Sequence, residues 1–128
     1  MHSTRRITRL PDEILRITFQ LADPELIISE TLGVQGLSFP EVNSKSRKLK
    51  IIMTRHIISY LLSVNPERSF DTIGKVFMKD HSTAIHSRDV VEDMIESDRS
   101  LRLKIAIISA RINAILTTNY PINESSNL

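Results

Sequence analysis

Apolar residues recur along most of this chain at intervals of three and four, and almost nowhere at the two-residue spacing of a half-buried strand. The plainest case is the last long segment. Leu101, Ile105, Ile108, Ile112 and Ile115 form a stripe down one side of a helix that starts near Ser97-Asp98 and stops at Tyr120-Pro121. Further upstream, Ile51, Ile52, Ile58, Leu61 and Leu62 mark the buried side of a long helix over roughly 48–64, with Arg55 and His56 on its flank. Asn65-Pro66 halts it, because the residue before a proline avoids helical geometry and proline donates no hydrogen bond. Near the N-terminus, Leu10-Pro11-Asp12-Glu13 resembles a helix start, with proline in the first turn and acids at the positive helix end. Ile14, Leu15, Ile17, Phe19 and Leu21 carry that helix to Asp23-Pro24. A shorter helix is predicted over 24–32, with Leu26, Ile27 and Leu32 inward, and Gly33 and Gly36 ending it. Leu37, Phe39 and Val42 anchor the next segment onto the core, with one helical turn at Phe39-Pro40-Glu41.

The stretch from Ser69 to His86 is different in kind. Ser69 suits an N-cap, and Phe70, Ile73 and Phe77 fall at i, i+3 and i+7 on one helical face. Gly74 inside that helix costs about 1 kcal/mol against alanine, so a close approach of two helices is expected there in compensation. Asp80 or the residue beside it caps a further helix over about 81–97, with Ala84, Ile85, Val91, Met94 and Ile95 inside. A short helix, a tight break and a second helix opening on small hydroxyl side chains make a helix-turn-helix. The chain therefore reads as all-α, a helical bundle built around that motif.

Charge sharpens the reading. The 128 residues carry a net charge of only +2, but the charge is unevenly placed. Between Lys45 and His81 there are eight Lys/Arg against three acids, a local net of +5. Residues 17–44 carry four acids and residues 89–98 five, both without Lys or Arg. Such a basic block between acidic flanks is the footprint of a polyanion site, although a charge run alone is more often a solvated face. With no cysteine there is neither a disulfide framework nor a thiolate metal site. No apolar run reaches the length of a membrane span, and no signal-peptide core follows Arg5, Arg6 and Arg9. A cytoplasmic, nucleoid-associated protein with no membrane partner is expected.

In a helix-turn-helix the first turn of the second helix meets the bases. Here that turn is Asp80, His81, Ser82 and Thr83. Asp80 can accept from a cytosine amino group, and His81 and Ser82 can donate or accept at base edges. Thr83 offers a methyl to thymine and a hydroxyl to either neighbour. Lys79 suits a phosphate, and His86, a turn and a half on, suits the backbone better than a base. The plain alternative is that Asp80 is only a cap and Ser82 and Thr83 only first-turn hydrogen bonders. His81 and His86, five apart, face different ways, and no His-Glu pair accompanies them, so no metal or other cofactor is expected. A nucleotide-binding Gly-x-x-x-x-Gly-Lys loop and a nucleophile turn are both missing from the sequence, and no enzyme activity is expected.

The run Lys79-Asp80-His81-Ser82-Thr83-Ala84-Ile85-His86 resembles the signature of domain IV, the C-terminal DNA-binding domain of the bacterial replication initiator DnaA. Two weaker pieces line up before it in order: Ser44-Lys45-Ser46-Arg47-Lys48, similar to that family's basic loop, and 54–62, similar to its long helix. The likeness implies that Arg47, with Lys48 beside it, enters the minor groove and that Arg55 approaches the duplex from the long helix. Lys79 holds the backbone, Asp80, His81, Ser82 and Thr83 read bases, and His86 touches the backbone. It implies a DnaA-box-like target in double-stranded DNA, a role in replication initiation or its regulation, and a monomer on DNA. It also leaves room for an ATPase or replication partner in trans. The sequence departs from the family in three ways. The turn Met78-Lys79 is one residue shorter than the family's two glycines and basic residue, which is expected to tilt the recognition helix. Met53 and Ser63 stand where basic residues are common, with Arg68 as an expected substitute. The ATPase module is missing. The domain plan is then an extension with one helix over 1–23, the DNA-binding domain over 24–118, and a disordered tail over 119–128. Met1 and the unmatched first 23 residues point to a free-standing relative, as on a phage or mobile element. Two other readings stand beside this one. One is a Trp-repressor-like dimeric regulator, which shares the long helix and helix-turn-helix. The other is a protein-interaction module that uses the Leu101–Ile115 stripe as its contact surface.

Overall fold

The computed structural model describes residues 13–119. The expected start at Leu10–Asp12, the stop at Tyr120-Pro121 and both polar ends lie outside them. Within them the chain forms helices α1 (Glu13–Leu21), α2 (Pro24–Gln35), α3 (Phe39–Val42), α4 (Leu49–Ser63), α5 (Phe70–Lys75), α6 (His81–Met94) and α7 (Arg99–Asn119), with no strand among the described residues. The all-α expectation holds.

Helix α4 is the central post. It touches α1, α2, α3, α5 and α6, and α7 closes the far side against α1 and α2. Because α4 is surrounded, both sides of it are apolar: Ile51, Ile57, Ile58, Tyr60, Leu61 and Leu62 are all buried. A one-sided stripe understates such a helix, and Ile52, expected inside, is only half-buried. The polar groups drawn into this interior are satisfied. Gln35 Nε2 donates to Thr54 Oγ1 at 3.0 Å, tying α2 to α4, and Thr54 donates in turn to Lys50 O at 2.7 Å.

The α7 stripe goes into the core. Leu101, Ile105, Ile108 and Ile112 are buried, and Ile115 is half-buried. In α1 the inward residues are Leu15, Thr18 and Phe19, while Ile14, Ile17 and Leu21 are exposed. Thr18 donates to Ile14 O within its helix and lies 3.2 Å from Asn113 Oδ1 of α7, so α1 is fixed to the bundle by a polar contact as well as by Phe19.

Helix ends follow local chemistry. Asp23 is the N-cap position of α2, with proline in the first turn. The helix passes through Gly33, and Gly36 ends it, in the left-handed region at φ 69°. The sequence pattern places this end at Leu32, one turn too early. A glycine is permissive within a helix and ends one only where the backbone turns left-handed. Helix α3 is held by a reciprocal capping box: Ser38 N donates to Glu41 Oε1 at 2.8 Å and Glu41 N to Ser38 Oγ at 3.3 Å. The backbone amide of Ser38 holds the Glu41 carboxyl below its ordinary pKa.

Arg68 was expected to stand in for lost phosphate ligands, and its side chain is turned inward instead. Its guanidinium donates to the carbonyls of Ala22, of Leu62 at 3.2 Å and of Phe19 at 3.4 Å. It thus stitches the C-terminal end of α1 to that of α4. Burial lowers its pKa, with Asp23 opposing. An arginine spent on three main-chain oxygens is a structural rivet.

Candidate nucleic-acid interface

The helix-turn-helix is α5, its turn and α6. Ser69 Oγ accepts from Thr72 N at 3.1 Å, capping α5 as its sequence position predicts. The helix ends in a Schellman motif: Lys79 N donates to Gly74 O at 2.9 Å and Met78 N to Lys75 O at 3.1 Å. That motif needs one left-handed residue, and Met78 supplies it at φ 59°, although glycine is the residue suited to that conformation. Its side chain is 80% exposed, so packing gives little in return. Met78→Gly is therefore expected to stabilise the chain by about 0.5–1 kcal/mol, read as a rise in melting temperature. An unchanged or lower melting temperature would contradict the assigned strain.

Gly74 is where the two helices meet. A Cβ on it would lie 2.8 Å from Lys79 O and from Asp80 C, and closer still to Asp80 O. The close approach expected from the sequence is thus with the backbone of the turn itself. Ile73, Phe77 and Ala84 are buried behind it, and the Phe77 ring stacks on Phe39 of α3 with centroids 5.9 Å apart.

Asp80 opens α6 as its N-cap. Its Oδ1 accepts from Thr83 N at 3.0 Å and from Thr83 Oγ1 at 3.1 Å. These bonds, the backbone one first, hold the carboxyl below its ordinary pKa. A depressed folded pKa contributes stability above the unfolded carboxylate value and loses it as pH falls through the folded value. Asp80→Asn should therefore melt below the parent chain at neutral pH, with the gap closing on acidification below about pH 4. A gap independent of pH would refute the charged cap. Thr83 spends its hydroxyl proton on this cap, so what it keeps for a base is its methyl group and the lone pairs of its oxygen.

Lys79, Asp80, His81, Ser82, Thr83 and His86 are all exposed on this part of the molecule. A cleft of about 210 Å³ separates the motif from α4, lined by Arg55 and His56 on one side and by Gly74, Lys79 and Thr83 on the other. His56 Nδ1 lies 2.8 Å from Ser87 Oγ, and its ring meets that of His86 edge-on at 5.7 Å. Burial, then His86 and Arg55, lower the His56 pKa, which favours the neutral ring. The sequence singled out His86 and left His56 as a flank residue; nothing local announces a pair formed by two helices thirty residues apart.

The basic loop lies at the other end of Arg55. That side chain donates through Nη1 to Val42 O at 2.7 Å and Ser44 O at 3.0 Å, and through Nη2 to Ser46 O at 2.9 Å. Ser44 Oγ donates to Glu41 O at 2.7 Å and accepts from Ser46 N at 3.2 Å, and Ser46 Oγ accepts from Lys48 N at 3.2 Å. Lys45, Arg47 and Lys48 are exposed on the loop so formed. Every residue expected at the site except Arg55 is thus solvent-facing, and Arg55 joins the loop to the cleft.

The profile of a family described as the bacterial dnaA protein helix-turn-helix matches residues 24–91, from the start of α2 into α6. The chain belongs to that family. It is similar to the chromosomal replication initiator protein DnaA of Desulfotalea psychrophila, 35% identical over 90 residues, which is 70% of this chain and 19% of that protein. The DnaA of a Nostoc species is 35% identical over 92 residues, covering 71% of this chain and 20% of the relative. That of Kosmotoga olearia is 31% identical over 101 residues, covering 78% and 22%. The chain spans about a fifth of the length of these curated relatives. No solved structure matches it. Membership of the DnaA helix-turn-helix family agrees with the resemblance seen in the Lys79–His86 run. No helix among the described residues is long and apolar enough to cross a membrane.

Proposed function

We propose that this chain binds double-stranded DNA sequence-specifically, as a monomer, at a DnaA-box-like site, and acts in replication initiation or its regulation. The observation that carries this reading is the recognition turn. Asp80 to Thr83 open an N-capped helix on the exposed side of a helix-turn-helix, and the basic loop is bonded to Arg55, a residue that lines the cleft beside that turn. In this reading Ser82, His81 and the Thr83 methyl meet base edges, and Asp80 reads a cytosine amino group while it caps its helix. Lys79 and His86 meet phosphate, Arg47 enters the adjoining minor groove, and Lys48 supports it from the backbone. The interaction-module alternative loses most of its proposed surface, because Leu101, Ile105, Ile108 and Ile112 of the Leu101–Ile115 stripe are spent on the core and Ile115 is half-buried.

The test is a titration against a labelled duplex carrying a DnaA-box sequence beside a scrambled duplex of equal composition, at near-physiological salt. Clear preference for the box is expected. Equal binding to both would keep DNA binding and remove the box as target. No binding to either duplex at low salt would end the reading.

A further inference from the structure

We infer that Arg55 serves DNA binding as the positioning residue of the basic loop rather than as a ligand of the duplex. The inference rests on the DNA-binding reading above. A direct phosphate contact needs guanidinium donors directed at solvent. Here three of the five N–H donors, both on Nη1 and one on Nη2, are directed at main-chain oxygens, Val42 O, Ser44 O and Ser46 O, all within 3.0 Å, so the fork's bidentate face is already taken by the loop. The side chain is half-buried, while Lys45, Arg47 and Lys48 around it are exposed. The spacing explains the division of labour. Carbonyls at 42, 44 and 46 converge on one guanidinium, so the segment is pinned at every second residue. Ser44 and Ser46 hydroxyls tie off the amides of Ser46 and Lys48. The loop is therefore shaped before any ligand arrives, and ordering it on DNA costs little. The same α4 residue lines the cleft opposite Lys79 and Thr83, so it fixes the loop relative to the recognition turn.

Lysine carries the same charge but lacks the planar fork that serves three acceptors at once. If Arg55 is a phosphate ligand, Arg55→Lys keeps most of the affinity. If it is the loop's anchor, Arg55→Lys loses about tenfold on the box duplex, equivalent to about 1.4 kcal/mol, much as Arg55→Ala does. The loss must also run through Arg47. In an Arg47→Ala background, adding Arg55→Lys should cost clearly less than the tenfold lost in the parent chain, because only the loop's lysine contacts are left to misplace. A readout without DNA completes the test: amide exchange at Ser46 and Lys48 should quicken in Arg55→Lys while Ile58 in the core stays protected. Wild-type affinity in Arg55→Lys, a full additive loss in the double variant, or unchanged exchange in the loop each overturns the inference. Should Arg55→Lys unfold the chain, the pair Ser44→Ala and Ser46→Ala loosens the same loop with the cation retained. The same weakening is then expected, and wild-type affinity overturns the inference. Failure of the parent chain to bind any duplex removes the DNA reading itself. A parent chain that binds beside an Arg55→Lys variant that binds equally removes only the anchor.

Discussion

Gly74→Ala is expected to destabilise the chain by about 2 kcal/mol, and to impair DNA binding beyond that loss. Two effects oppose each other. Alanine is the better helix former by about 1 kcal/mol, which alone would stabilise α5. Against it, the added methyl lands 2.8 Å from Lys79 O and Asp80 C, and nearer still to Asp80 O. These are main-chain atoms and cannot swing aside as a side-chain tip would. Forcing an extra carbon into a packed contact costs about 1–3 kcal/mol, and a backbone wall places this case at the upper end, about 3 kcal/mol. Relief requires the turn to move. The turn is closed by the Lys79 N bond to Gly74 O, and its last residue is the Asp80 cap, so moving it displaces the first turn of the recognition helix. A urea titration reads the stability, and the box duplex reads the recognition. A variant as stable as the parent would show that the predicted clash is not there. A variant that is destabilised yet binds the box normally would separate the packing from the readout.

Much of this architecture was legible because it is written in near neighbours. The Ser69 and Asp80 caps, the proline stops, the α7 stripe and the Gly74 approach are each fixed by a few adjacent residues. The positions that misled depend on distant partners. Arg68 and Arg55 count as surface cations in any charge tally. Arg68 is claimed by carbonyls 46 and 49 residues upstream, and Arg55 by carbonyls 9 to 13 residues upstream. Gly33 resembles a helix stop, yet the backbone turns left-handed only at Gly36. The shortened turn was expected to tilt the recognition helix. The structure shows how the turn closes: Met78 takes the left-handed conformation that glycine would adopt without strain. In α1, spacing alone could not tell Leu15 and Phe19, which pack inward, from Ile14, Ile17 and Leu21, which do not. The first turn of α6 was legible as an exposed, capped helix start, since that feature sits in four consecutive residues.

The second large effect is ionic. The exposed cations expected to meet DNA are Lys45, Arg47 and Lys48 on the loop and Lys79, which lines the cleft, at the turn. Lys75 is nearby but already paired with Asp71 at 3.2 Å, and Arg55 and Arg68 are committed to carbonyls. Four cations brought onto the duplex, Arg47 in the minor groove included, displace about 0.9 counterions each, so raising salt from about 50 to 200 mM should weaken binding roughly 150-fold. Had the two committed arginines been counted as ligands, the same arithmetic would give a drop of roughly 1,800-fold. The slope therefore reports how many basic side chains are free to act, which composition cannot. Lys79→Ala should flatten it by about one counterion on box and scrambled duplexes alike, because a phosphate contact carries no sequence information. Thr83→Ser, which keeps the cap hydroxyl and removes the methyl, should leave the slope unchanged and lower only the preference for the box. A slope near zero would mean that the loop and the turn do not meet the same duplex, whatever their geometry suggests.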